Sequence, residues 1–149
     1  IMGNRAVISF KCEGVPKEYS PSIYLHWNGG RDSIEGFLKA HKIADFRNGD
    51  YGIARLIQLI TNWFKNGLSV GVGVYCQMDT DNGDNGVYWI NPKTFEIVDR
   101  EFKRYKEQLA YDVDEFANDV LEKSNLPTHE EAENNWVDLR ATYHTKKAV

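Results

Sequence analysis

The chain has 149 residues and a mass of 17.1 kDa, the size of one domain with at most an appended arm. It is 42% hydrophobic and 13% aromatic, enough for a packed core and too apolar for wholesale disorder. Its 18 Lys and Arg against 22 Asp and Glu give a formal net charge of −4, which argues against a generic duplex-binding surface but leaves room for a small anion held by placed arginines.

In chain order, Ala6-Val7-Ile8-Ser9-Phe10 is short, apolar and rich in β-formers, and predicts a first strand. A loop with Gly14, Pro16 and Pro21 leads to a second strand at 23–27, stopped by Asn28-Gly29-Gly30 and paired with the first. Asp32 with Glu35 has capping-box spacing and opens a helix whose apolar face carries Ile34, Phe37, Leu38 and His41. After a turn around Arg47-Asn48-Gly49-Asp50 comes the most hydrophobic helix. Ile53, Leu56, Ile57, Ile60 and Phe64 recur there at helical spacing, Leu59 and Trp63 widen the stripe, and Asn66-Gly67 is the stop.

Residues 68–78 alternate strictly, with Val70, Val72 and Val74 on one side and Ser69, Gly71, Gly73 and Tyr75 on the other. Glycines inside a strand predict a bulge, or a backbone or ligand lying close. Residues 79–86 hold two Asn-Gly steps and predict a hairpin into a strand at 87–90. Asn91-Pro92-Lys93 then turns into a last strand at 95–98. The order ββααβββ implies an α+β core, an antiparallel sheet covered by two helices.

Beyond Asp99, Tyr105, Leu109, Val113, Phe116 and Val120 mark a long helix to about Lys123, broken at Leu126-Pro127. Thr128 with Glu131 is a second capping box, opening a polar helix whose apolar residues are chiefly Trp136, Leu139 and Tyr143. So few apolar positions do not bury a helix alone, and they predict an arm that completes an oligomer. The expected division is a ligand-binding core at 1–102 and a helical arm at 103–149.

Chemistry-bearing motifs are sparse. No apolar run approaches the ~20 residues of a membrane span, no secretory signal opens the sequence, and Met2 reads as the natural start. Cys12 and Cys76 read as free thiols in a reducing compartment. The histidines, at 26, 41, 129 and 144, show no zincin spacing, and no nucleophile elbow, P-loop or dinucleotide fingerprint is present. No catalytic set, cofactor or metal is therefore expected. Counted from Asp79, the fifth, sixth and twelfth positions of an EF-hand loop would be Gly83, Asp84 and Ile90, so that pattern fails. The asparagines of this stretch, Asn82 and Asn85, suit a plain hairpin or a loop that meets ribose, base edges and phosphate.

The run Trp27-Asn28-Gly29-Gly30-Arg31 joins a strand end to a helix N-terminus and places backbone N–H groups, a positive helix end and a guanidinium together. Trp27 would add a stacking face for a base. The plainer reading is a tight turn with Arg31 paired to an acid. Arg100, Lys103, Arg104 and Lys106, interleaved with Phe102 and Tyr105, read either as a solvated helix face or as a clamp on phosphate. Arg55, outside its helix's apolar stripe, is a further candidate.

Four blocks then occur in order across residues 3–102. They are Gly3-Asn4-Arg5-Ala6-Val7-Ile8, Tyr24-Leu25-His26-Trp27-Asn28-Gly29-Gly30-Arg31-Asp32-Ser33, Tyr51-Gly52-Ile53-Ala54-Arg55 and Asp81-Asn82-Gly83-Asp84-Asn85-Gly86-Val87-Tyr88. Together they resemble small phage and prophage proteins, the first family of Thoeris anti-defence proteins. The resemblance implies an immune-evasion sponge in the cytoplasm of an infected bacterium. Such a protein binds cyclic ADP-ribose isomers made by bacterial TIR-domain enzymes without cleaving them, and in some members cyclic oligonucleotides of the CBASS system at a separate site. It further implies a homodimer or homohexamer with C-terminal helices exchanged between subunits, and no nucleic-acid polymer or membrane as partner. Carried onto this sequence, Tyr75 is the aromatic ligand residue and Asn85 or Asn82 the loop amide. Arg100 or Arg104 meets the pyrophosphate, and Arg31 serves that pocket or the cyclic-oligonucleotide site. The tail after residue 125 matches no part of the family pattern. Two other readings stand beside this one: a phage or plasmid regulator acting through protein contacts, and an enzyme degrading cyclic nucleotides.

Overall fold

A computed structural model describes residues 3–65, 68–104, 106–107 and 109–134. The strands are β1 (Ala6–Phe10), β2 (Pro21–Leu25), β3 (Val70–Val74), β4 (Val87–Ile90) and β5 (Ile97–Glu101). The helices are α1 (Arg31–Ile43) and α2 (Gly49–Phe64), between β2 and β3, then α3 (Val113–Ser124) and the short α4 (His129–Asn134) after β5. The five strands form one sheet in the order β3-β2-β1-β4-β5. Three neighbouring pairs are antiparallel, but β1 and β4 run parallel, so the sheet is mixed and the expectation of a wholly antiparallel one is corrected.

The cause is the path between β3 and β4. These consecutive strands lie on opposite sides of the β1–β2 pair, so the Asn-Gly stretch closes no hairpin between them. Residues 75–86 instead cross one face of the sheet. Tyr75 and Met78 pack there against Val7, Val87 and Trp89. Strand β3 also ends earlier than its alternation suggests, because Tyr75–Gln77 turn into a 3-10 helix.

The other face is apolar. Ala6, Ile8, Phe10, Ile23, Leu25, Tyr88 and Ile90 share one core with Ile34 and Phe37 of α1, Leu56 and Ile60 of α2, and Phe116 and Val120 of α3. Three helices therefore cover the sheet where two were expected. The close approach of α1 to α3 depends on Gly36, where a Cβ would collide with the Phe116 ring. Trp63 donates to Asp119 at 3.0 Å, and Asn62 to the Ser124 carbonyl at 3.1 Å, tying α2 to α3.

Two helix starts differ from the sequence expectation. The N-cap of α1 is Gly30, and Asp32 lies buried in the first turn, its carboxylate accepting from the N–H groups of Ser33, Ala110 and Tyr111 at 2.6–2.7 Å. That grip turns the chain inward just before α3, which begins at Val113 with Asp112 capping Glu115 at 3.0 Å. The long helix expected from Tyr105 is thus shorter, and Tyr105 itself lies outside the described residues. Strand β5 begins two residues late because Phe95 completes the preceding turn at φ 55°. The second capping box is formed, with Thr128 and Glu131 bonded reciprocally at 3.3 and 3.2 Å. Asn66, Gly67, Trp136, Leu139 and Tyr143 lie outside the described residues. Among those described, no helix is long and apolar enough to cross a membrane.

Candidate functional site

Strand alternation places Arg100 opposite Tyr88, on the helix-covered face at the β5 edge. Its guanidinium lies over the Tyr88 ring, 3.7 Å from the ring centre. Nη2 donates to the Asn85 carbonyl at 2.9 Å, Nη1 pairs with Glu107, and the buried Nε has no partner among the described residues. Arg31, the first residue of α1, reaches the same Glu107 with Nη1 at 3.3 Å while its Nε bonds Glu35 at 2.9 Å. Each oxygen of the Glu107 carboxylate thus takes one arginine from a different element. Burial alone would raise the Glu107 carboxyl, but the hydrogen bonds and charges of Arg100 and Arg31 outweigh it and hold the group below the usual carboxylate range. Beneath them, the Tyr88 hydroxyl donates to the Gly29 carbonyl at 2.7 Å, and burial pushes its pKa well up.

The opposite face carries a different cluster. The register sets Trp89 opposite Asp99 and Val87 opposite Glu101. Tyr75 stacks on Trp89, ring centres 5.2 Å apart and planes 25° apart. Glu101 accepts from the Trp89 indole, from Lys17 at 3.0 Å and from the Tyr75 hydroxyl at 3.4 Å. Burial would raise this carboxyl too, but the indole and Lys17 bring it below its ordinary value. A hollow of about 680 Å³ opens beside it between Lys11, Lys17, Trp89 and Asp99. Tyr75 covers Trp89, which is 7% exposed. The glycine face of β3 finds its reason at Gly73, where a Cβ would meet Gln77 at 2.8 Å and Met78 at 2.9 Å.

The crossing segment is held by its own polar groups. Asn82 is buried, and its amide is fully engaged: Nδ2 donates to the Asp79 and Gly86 carbonyls, and Oδ1 accepts from the N–H groups of Asp84 and Gly86. Asp84 takes both the backbone N–H and the guanidinium of Arg5, at 3.1 and 2.8 Å. Asn85 donates to Asn4 and to the Arg5 carbonyl. Arg104 grips Asp81 through two nitrogens, in an exposed pair.

Of the residues singled out from sequence, the fold joins Arg31, Arg100 and the backbone of Asn85 around Glu107, while Arg55 stands apart on α2, beside Tyr51 and Leu126. Asn82 and Arg104 belong to the crossing segment, and Tyr75 lies on the other face. Trp27 and Asn28 stand at the β2–α1 turn. Trp27 is 48% exposed with its ring edge-on to His26, and Asn28, at φ 59°, donates to Ser33 at 3.4 Å. Glu107, Asp32, Tyr88 and Glu101 were not signalled as site residues. Glu107 is one acid within a basic run, and only the fold brings Arg31 to it. Among the described residues, no group of three or more His, Cys, Asp or Glu stands where it could hold a metal ion. Compared with protein families, curated proteins and solved structures, the chain matches none.

Proposed function

We propose that the protein sequesters a cyclic ADP-ribose-type signalling nucleotide and holds it uncleaved, with Arg31 and Arg100 on its pyrophosphate. The observation that carries this reading is the convergence of two arginines, from α1 and β5, on one carboxylate of the same chain. Planar guanidiniums match carboxylate and phosphate oxygens alike, so a seat that fits Glu107 also fits a phosphate. Glu107 comes from the irregular segment between β5 and α3, and its departure as a pyrophosphate arrives exchanges one anion for another. The largely buried Arg100 guanidinium is then never left unpaired, the arrangement that costs most, while the half-exposed Arg31 keeps Glu35 and solvent. The free Nε of Arg100 supplies a further donor.

Within one subunit Tyr75 and Arg100 lie on opposite faces of the sheet, so a pocket using both draws them from two subunits. The family resemblance supports such an arrangement, as a homodimer or homohexamer completed by C-terminal helices. Enclosing base and pyrophosphate between subunits gives the tight binding a sponge needs to compete with a receptor.

A capture-and-release assay tests the reading. The protein is incubated with cyclic ADP-ribose isomers and, separately, with cyclic oligonucleotides, stripped of free ligand and denatured by heat, and the released ligand is identified by mass. The expected result is intact cyclic ADP-ribose isomer at near-stoichiometric yield, with capture sharply reduced in Arg31→Gln. A linear product would indicate an enzyme, and retention of no ligand would sink the sponge reading.

A further inference from the structure

Away from Arg31 and Arg100, the end of α1, the turn into α2, the β4–β5 turn and the first residue of α4 border an open hollow of about 650 Å³. Besides the buried His41, four basic side chains line it, Lys42, Arg47, Lys93 and His129, against the single acid Asp45. Lys42 reaches Glu96 at 3.5 Å and His129 reaches Glu133 at 3.0 Å. Arg47 lies over the Tyr51 ring, 5.2 Å from its centre. Among the described residues, neither the Arg47 guanidinium nor the Lys93 ammonium meets a carboxylate or any hydrogen-bond acceptor. Arg5, Lys17, Lys39, Arg104 and Lys123 each face a carboxylate, whereas Arg47 and Lys93 meet in this concavity without one.

The N-terminus of α2 in the wall adds little charge of its own, because the Gly49 N–H donates to the Pro92 carbonyl at 2.8 Å and the Tyr51 N–H to the Asp50 carboxylate at 3.1 Å. One neighbouring feature extends the site. A second hollow, of about 340 Å³, shares Arg47, Tyr51 and His129 with the first and has apolar walls from Ala54, Leu126 and Pro127. Tyr51, 64% exposed, is a wall of both.

We propose that the paired hollows form a second anion site, taking the phosphate or pyrophosphate of a small molecule against Arg47 and Lys93, with a planar ring of that molecule against Tyr51. The site shares no residue with the Arg31–Arg100 seat, and it stands or falls without it.

Calorimetric titration of the full chain with pyrophosphate, ADP and phenyl phosphate tests this. The double variant Arg47→Gln/Lys93→Gln is expected to weaken this site at least roughly tenfold for all three. Lys93→Arg keeps it, and Arg31→Gln leaves it intact. Tyr51→Ala weakens ADP and phenyl phosphate while sparing pyrophosphate. ADP ahead of phenyl phosphate identifies a nucleotide as the occupant, and the reverse order a simple aromatic phosphate. The substituted cations hold no described carboxylate, so thermal midpoints stay unchanged and any loss is one of binding. Absence of binding in the parent protein at about 1 mM ligand, or equal binding by the double variant, would overturn the proposal.

Discussion

The two faces of the sheet are built on different principles. The helix-covered face is close to a pure hydrophobic interior, with Ile8, Phe10, Ile23, Leu25 and Ile90 fully buried. The crossed face mixes Val7 and Val87 with Ser9 and Ser22, whose hydroxyls bond each other at 2.7 Å, and its cover is held by Asn82, Asp84 and Glu101. Dispersion and water exclusion fix the first face, while satisfied polar groups fix the second. The first should therefore fail through cavities, and the second through lost hydrogen bonds and acid.

The largest effect is expected on the helix-covered face. Phe116→Ala removes the ring that packs against Gly36, Phe37 and Trp63, and should cost about 3–5 kcal/mol in urea unfolding. A loss under 1 kcal/mol would show that α3 is dispensable to this core.

Next comes pH. His41 is buried against Phe95, its Nε2–H donating to the Gly52 carbonyl at 3.0 Å, and burial drives its pKa down to about 4 despite that bond. The folded state then binds the proton less readily than the unfolded chain, whose imidazole titrates near 6.5. Stability is full above pH 6.5 and falls as pH drops from 6.5 towards 4, by on the order of 3 kcal/mol. Glu101 and Asp84 are depressed carboxylates, so their contributions are present above the ordinary carboxylate range and disappear at lower pH still. Unfolding midpoints measured between pH 7 and 4 should lose this first limb in His41→Leu and keep it in Glu101→Gln. The same limb in both variants would refute the assignment.

On the crossed face, Asn82→Ala leaves the buried Gly86 N–H and carbonyl without their side-chain partner. It should cost about 2 kcal/mol and raise amide exchange through residues 79–86 before the helices respond. Uniform exchange across the molecule would mean that the two faces unfold as one. The smallest effect belongs to Arg104→Gln. Its exposed pair with Asp81 should be worth roughly 0.2–1 kcal/mol and weaken in salt.

The contrast between faces also explains what was legible in the sequence. The stripe of α2 and the apolar runs of β1 and β4 declared themselves, because hydrophobic periodicity reports burial under helices. The crossing segment did not. Asn82-Gly83 and Asn85-Gly86 have the local chemistry of a hairpin, and only the pairing of β4 with β1 sends the chain across the sheet. Asp32 misled for a related reason, since a carboxylate at a helix start suits capping, and its actual partners lie 78 and 79 residues away. Arg31 and Arg100 were legible as anion ligands by type. Their convergence on Glu107 was not, because it depends on the fold of a segment with no regular structure.

In the proposed site, Glu107 holds the seat of a ligand's pyrophosphate between Arg31 and Arg100. Affinity for a cyclic ADP-ribose isomer should be measured by calorimetry in the parent protein and in Glu107→Gln, which keeps the side chain's shape and removes its charge. If the carboxylate holds the place of the ligand, the neutral variant yields it more readily and binds roughly tenfold tighter. Unchanged or weaker binding by Glu107→Gln would contradict this exchange and leave Glu107 as a structural partner of Arg31 and Arg100.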